Sequence, residues 1–166
     1  MNPLRWSFRG VFFAGFVVCA LLMGFALYAE VYLGLVPCPL CVFQRIAFIV
    51  MALVFLVGAL HAPTGRGRWV YVVLVLLAAL WGIVAASRQL WLQSLPAELV
   101  PSCGPGLGYL FDAFSWAKAL NLVFAGSGEC AEVHWRFLGL TMAGWTPIWY
   151  VLLSAWAVTG ARRRRR

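Results

Sequence analysis

Residues 11–29 run for nineteen positions without a charged side chain, and no other feature limits the possible folds more. A bilayer hydrocarbon core about 30 Å thick is crossed by about 20 mainly apolar residues in a helix, the form that bonds every backbone N–H and C=O within the segment. Further apolar stretches repeat the pattern, and together they predict spans near 11–29, 42–61, 69–87 and 145–161. Composition agrees: 64% of the 166 residues are apolar, 11% are charged, and the mean hydropathy is +0.89. A soluble domain runs about 45–50% apolar and about 25% charged, and a disordered chain is poorer still in apolar residues, so both classes are excluded. A cleavable signal has an apolar core of about 7–15 residues followed by a small-residue site. The first run is longer, and Leu27-Tyr28-Ala29 lacks that site, so it is expected to stay as an anchor.

The net charge of +8 does not point to nucleic acid, because five of the thirteen basic residues form the terminal run 162–166. Four spans place both ends of the chain on one side. That side collects Arg5, Arg9, Arg66, Arg68 and the terminal arginines, nine basic residues and no acidic one. The opposite side holds Arg45, Arg88, Lys118 and Arg136 against Glu30, Glu98, Asp112, Glu129 and Glu132. Basic loops stay in the cytoplasm, so both termini are expected there, with two loops facing out, near 30–41 and 88–144. The inner connection around Pro63 and Gly65 is short. In the long outer loop, Trp116, Ala119, Leu120, Val123 and Phe124 fall near helical spacing, and Trp135, Phe137, Leu138 and Leu140 lead into the last span. Such segments suit helices lying in the headgroup plane. The expected fold is an all-α integral membrane protein: a four-transmembrane-helix bundle with two outer loops, the second containing short interfacial helices.

Of the five cysteines, Cys19 lies mid-span, where a thiol behaves as a small apolar group. The other four fall in or beside the outer loops, the side on which disulfides persist. Pro37-Cys38-Pro39-Leu40-Cys41 is a C-x-x-C pair at the head of the second span. Two intervening residues make a small ring, which favours thiol–disulfide exchange. Cys41 falls at a helix N-terminus, where the macrodipole favours a thiolate, and Arg45 follows one turn later on the same face. A cation at the edge of the bilayer either works there or snorkels to the surface. Cys103 stands in a turn-rich stretch, Pro101-Ser102-Cys103-Gly104-Pro105, and Cys130 follows Gly126-Ser127-Gly128, a segment free to move. Structural staples and a four-cysteine zinc site are the competing readings. For zinc, a second C-x-x-C is lacking and 26 residues separate Cys103 from Cys130, so no metal is expected.

Pro37-Cys38-Pro39-Leu40-Cys41 with Gln44-Arg45, the pair Cys103 and Cys130, and Gly128-Glu129-Cys130-Ala131-Glu132 resemble the bacterial DsbB family of disulfide bond formation proteins. So do Trp135, Phe137-Leu138-Gly139-Leu140 and Trp145, and the likeness spans essentially the whole chain. It implies an inner-membrane thiol oxidase that re-oxidises a periplasmic DsbA-type dithiol protein and passes the electrons to quinone, ubiquinone or menaquinone. It implies disulfides Cys38–Cys41 and Cys103–Cys130. Cys103 would form the mixed disulfide with the partner, Cys130 would relay to Cys38, and Cys41 would face the quinone as a thiolate. Arg45 and Gln44 would border the quinone. Gln89, beside Arg88, stands where some members carry a His of the quinone region and would also border the quinone; Gln donates a hydrogen bond but supplies no proton. A strongly oxidising dithiol partner needs an acceptor of higher potential still, and a lipid-soluble acceptor must be met at the bilayer. Two other readings remain open from sequence: a paralogue serving one dedicated thioredoxin-like partner, and a non-enzymatic tetraspan adaptor stapled by disulfides.

Overall fold

The computed structural model describes residues 7–100, 128–133 and 135–162. Helices α1 (Phe8–Leu33), α2 (Pro39–His61) and α3 (Gly67–Gln93) follow one another. A 3₁₀ turn follows at Ala97–Leu99. A single helical turn, α4 (Gly128–Ala131), and a hairpin of strands β1 (Arg136–Phe137) and β2 (Leu140–Thr141) precede the last long helix, α5 (Met142–Arg162). Helices α1, α2 and α3 are each long and apolar enough to cross a membrane. Only 22%, 39% and 33% of their most apolar windows are buried inside the protein. Outward faces rich in Leu and Val, such as Leu21, Leu53 and Leu77, are solvated by lipid and would aggregate in water. The chain is thus a membrane protein. Helix α5, about 31 Å long at 1.5 Å per residue, is diluted by Trp, Gly and Thr.

Helix α2 packs on α1 and α3, and α5 closes the arrangement against α3 and α1. Small residues allow the close approach. A methyl at Gly58 would lie 2.6 Å from the Phe12 ring, and one at Gly82 would collide with Tyr150. The main apolar core gathers Phe12, Met51, Phe55, Val72, Val75 and Tyr150. A second, smaller cluster at the other end of α2 gathers Cys38, Leu40, Phe43, Ala85, Leu92 and Cys130.

The helices overrun the apolar stretches that announce them. Helix α1 is capped at its start by the Ser7 hydroxyl, which accepts from the Gly10 N–H, and ends at Gly34 with φ +66°. Only residues 34–38 separate it from α2. Helix α3 continues to Gln93, so Arg88 and Gln89 are helical. Hydropathy misses these turns because they carry polar side chains, of which Glu30 pairs with Arg45 of α2 and Gln89 with Gln44 and Cys41 of α2. One expectation is corrected. The stretch from Trp135 to Leu140 does not form an interfacial helix; it is an antiparallel hairpin pairing Arg136 with Thr141 and Phe137 with Leu140. Leu138 (φ +50°) and Gly139 (φ +81°) make the two-residue left-handed turn that matches strand twist, and glycine accepts that conformation without strain. The helical expectation for 116–124, and Cys103, lie outside the described residues.

Candidate active site

The Pro-Cys-Pro-Leu-Cys sequence works first as a helix start. Cys38 is the N-cap of α2 and its sulfur accepts from the Cys41 N–H at 3.4 Å. Pro39 occupies the first helical position, where a missing N–H costs nothing and the fixed φ suits the helix. The cap turns Cys38 back over the first turn, so its Sγ lies 2.9 Å from that of Cys41, both being free thiols. The third sulfur comes from α4, which packs on α3 and α2. Cys130 is fully buried there and hydrogen-bonds Cys38. Cys38 therefore touches both other cysteines. Those hydrogen bonds, to Cys130 and then Cys41, together with burial, hold the Cys38 thiol well above the usual thiol range. The structure seats Cys130 in the small apolar cluster.

Beneath the sulfurs runs a polar chain. Gln89 Nε2 donates to Cys41 Sγ at 3.2 Å, and Gln44 Nε2 donates to Gln89 Oε1 at 2.7 Å. The Thr146 hydroxyl donates to Gln44 Oε1 at 2.6 Å, and the Tyr150 hydroxyl to the Gln44 backbone carbonyl at 2.8 Å. Gln44 and Gln89 are only 4% and 5% exposed, a burial that amides tolerate only when hydrogen-bonded. Among the described residues every buried side-chain N or O atom has a partner.

Arg45 has its own partners on α1. Its guanidinium forms an ion pair with Glu30 of α1 and donates to the Ala26 carbonyl at 3.3 Å. It is thus fastened to α1, and the side chain that meets Cys41 is Gln89. Arg88 stacks on Trp91, 4.1 Å from the ring centroid.

Cys38, Cys41, Gln44, Arg45 and Gln89 all border one cavity of about 510 Å³ lined by residues of α1, α2, α3 and α5. Its wall is largely apolar, with Met23, Phe48, Trp145 and Trp149, and the hairpin rims it through Trp135 and Phe137. These two rings stack at 5.9 Å, and Trp135 meets Phe25 of α1 edge-on at 6.1 Å. The size lies within the range of about 300–1,000 Å³ usual for small-molecule sites. Sequence reasoning missed Glu30, Thr146 and Gln93. Gln93, one turn beyond Gln89 on the same face and also on the cavity wall, was legible from its spacing. The pairing of Glu30 with Arg45 and of Thr146 with Gln44 joins different helices and leaves no local signal.

The family model for disulfide bond formation protein DsbB matches residues 8–160. A disulfide bond formation protein B from Xanthomonas euvesicatoria pv. vesicatoria is 46% identical over 100% of this chain and 97% of its own length. Another, from Hahella chejuensis, is 49% identical over 98% of this chain and 99% of its own. A third, from Nitrosococcus oceani, is 50% identical over 91% and 89%.

Proposed function

The chain belongs to the DsbB family of disulfide bond formation proteins, and from that premise we propose that it carries electrons from a periplasmic DsbA-type dithiol protein to membrane quinone. The observation that carries this reading is the position of Cys38. It touches Cys130 on one side and Cys41 on the other, while Cys41 opens onto the apolar cavity.

The route is a series of thiolate–disulfide exchanges. A thiolate of the partner attacks Cys103 in a Cys103–Cys130 disulfide, forming a mixed disulfide and releasing Cys130. Cys130 attacks Cys38 in a Cys38–Cys41 disulfide, and Cys41 leaves as a thiolate at the cavity wall. The partner's second thiol resolves the mixed disulfide, so the partner departs oxidised and Cys103 becomes a thiol. Cys103 then displaces Cys38 from Cys130, and the two reducing equivalents rest on Cys38 and Cys41. Quinone, ubiquinone or menaquinone, supplies when bound an acceptor for two electrons and two protons, and the Cys38–Cys41 bond returns. The protein's residues do the rest. Gln89 donates a hydrogen bond to the Cys41 sulfur, Arg45 presents a cation to the cavity, and the aromatic wall excludes water. In this reading α5 is a fourth crossing, both termini are cytoplasmic, and the cysteine end of the bundle faces the periplasm of the bacterial inner membrane.

The test is quinone reduction by purified protein in detergent with a reduced DsbA-type partner. Wild type should turn over, and Cys41→Ser and Cys103→Ser should not. Full turnover by Cys41→Ser would overturn the relay. A wild type inert with several quinones and partners would remove the oxidase reading altogether.

A further inference from the structure

The polar chain behind Cys41 can run in either direction. As placed, every donor points towards the sulfur: Thr146 hydroxyl to Gln44 Oε1, Gln44 Nε2 to Gln89 Oε1, Gln89 Nε2 to Cys41 Sγ. This order suits a thiolate, which only accepts. The same atoms also satisfy the reverse order. In that order an S–H, a weak donor, meets Gln89 Oε1 in the place Nε2 now holds, 3.2 Å from Cys41 Sγ. Gln89 and Gln44 then turn their amides over, a rotation that exchanges O for N at almost constant shape. Gln44 Nε2 now donates to Thr146 Oγ1, whose own proton turns to the Ala143 carbonyl 3.1 Å away.

Thr146 makes the reversal possible. A hydroxyl both donates and accepts, and it has a second acceptor within reach when the first is lost. The Gln44 backbone stays in place throughout, held by Tyr150. Burial gives the chain its force, because both amides are almost wholly withdrawn from bulk solvent, where a lost partner is costly. We propose that Thr146, Gln44 and Gln89 form a reversible hydrogen-bond chain whose direction follows the charge on the Cys41 sulfur, with Thr146 as the positioning residue that sets it. This rests on the reading of Cys41 as the sulfur that alternates between thiol and thiolate. No proton is carried along the chain. Each donor keeps its own hydrogen and only orientations change.

The experiment is alkylation of the fully reduced protein in detergent, without quinone or partner, with mass spectrometry placing the label on Cys41. Thr146→Val removes the hydroxyl at nearly constant volume. It should slow Cys41 labelling near neutral pH by roughly threefold to tenfold, the scale of a neutral hydrogen bond. The rates should converge in alkaline buffer, where the thiolate forms regardless. Thr146→Ser, which keeps the hydroxyl, should label like wild type. Gln44→Met, cutting the chain one link nearer the sulfur, should behave as Thr146→Val and keeps the proposal testable if that variant folds poorly. Wild-type rates in both Thr146→Val and Gln44→Met would overturn it. So would a slowing that is equal at every pH, since that marks lost access. Because quinone takes no part, failure here leaves the oxidase reading standing, and failure of quinone reduction leaves this result intact.

Discussion

Helix α2 passes through two environments that differ in what they bury. Its C-terminal half packs Phe55 and Gly58 against Phe12 of α1 with no polar group between them. Its N-terminal end buries the Cys38 thiol and the Gln44 amide and half-buries Cys41, each hydrogen-bonded across to another helix or to α4. The first region gains from shape: close-packed rings on small residues resist any change of volume. The second gains from satisfied polarity, and the same bonds can be exchanged or reversed. In the proposed reading, one helix therefore holds a rigid half that fixes the bundle and a chemical half whose bonds change during turnover. The two regions should respond to different substitutions.

The largest effect is expected at the chemical end. Cys38→Ser removes the sulfur that touches both others, and steady-state oxidation of a dithiol partner should fall to background with the bundle still folded. In the reduced wild type, the raised Cys38 pKa leaves less thiolate at a given pH. Its alkylation near neutral pH should be more than about tenfold slower than that of an unstructured cysteine, since each pKa unit is a factor of ten. Rapid labelling of Cys38 would break the picture of a thiol held between two neighbours.

Gly58→Leu tests the rigid end. Even a methyl there lies 2.6 Å from the Phe12 ring, so overpacking should cost about 1–3 kcal/mol in detergent denaturation. The Cys41 labelling rate of the folded fraction should not change. If it does, the two halves are coupled and the contrast fails.

Arg45→Ala sharpens the comparison from the cavity side. Arg45 borders the cavity but is fastened to α1, so its loss should raise the apparent KM for quinone by about tenfold while thiol exchange with the partner continues. An unchanged KM would leave Arg45 with the anchoring role alone.

These two halves were unequally legible in the sequence. The rigid half could be read as a class, because nineteen uncharged residues in α1 and long apolar runs in α2 and α3 have one explanation in water and lipid. Its partners could not, since any Phe fits any groove until the glycines opposite are placed. At the chemical half, the C-x-x-C spacing and its following Arg announced Cys38, Cys41 and Arg45, because capping and helical periodicity are local rules. The contact of Cys130 with Cys38, the pairing of Gln89 with Cys41 and of Arg45 with Glu30, and the role of Thr146 are all agreements between distant segments. The apolar spacing from Trp135 to Leu140 misled for the opposite reason. Its residues were apolar enough to suit an interfacial helix, but Leu138 and Gly139 take a left-handed turn and close a hairpin.

The smallest expected effect is at Glu30→Gln, where the two regions exchange least. The Arg45–Glu30 pair is a tempting brace between α1 and α2, yet its side chains are 20% and 37% exposed. Solvent screening leaves such a pair about 0–1 kcal/mol. The substitution keeps a hydrogen-bonding oxygen beside Arg45, and the Ala26 carbonyl still holds the guanidinium. Stability should therefore fall by less than about 1 kcal/mol, and raising the salt should shrink the difference from wild type. The quinone KM should move less than in Arg45→Ala, because the cation remains at the cavity. A KM shift as large as that of Arg45→Ala would instead make the ion pair the functional unit, and would extend the chemical half of the bundle from α2 onto α1.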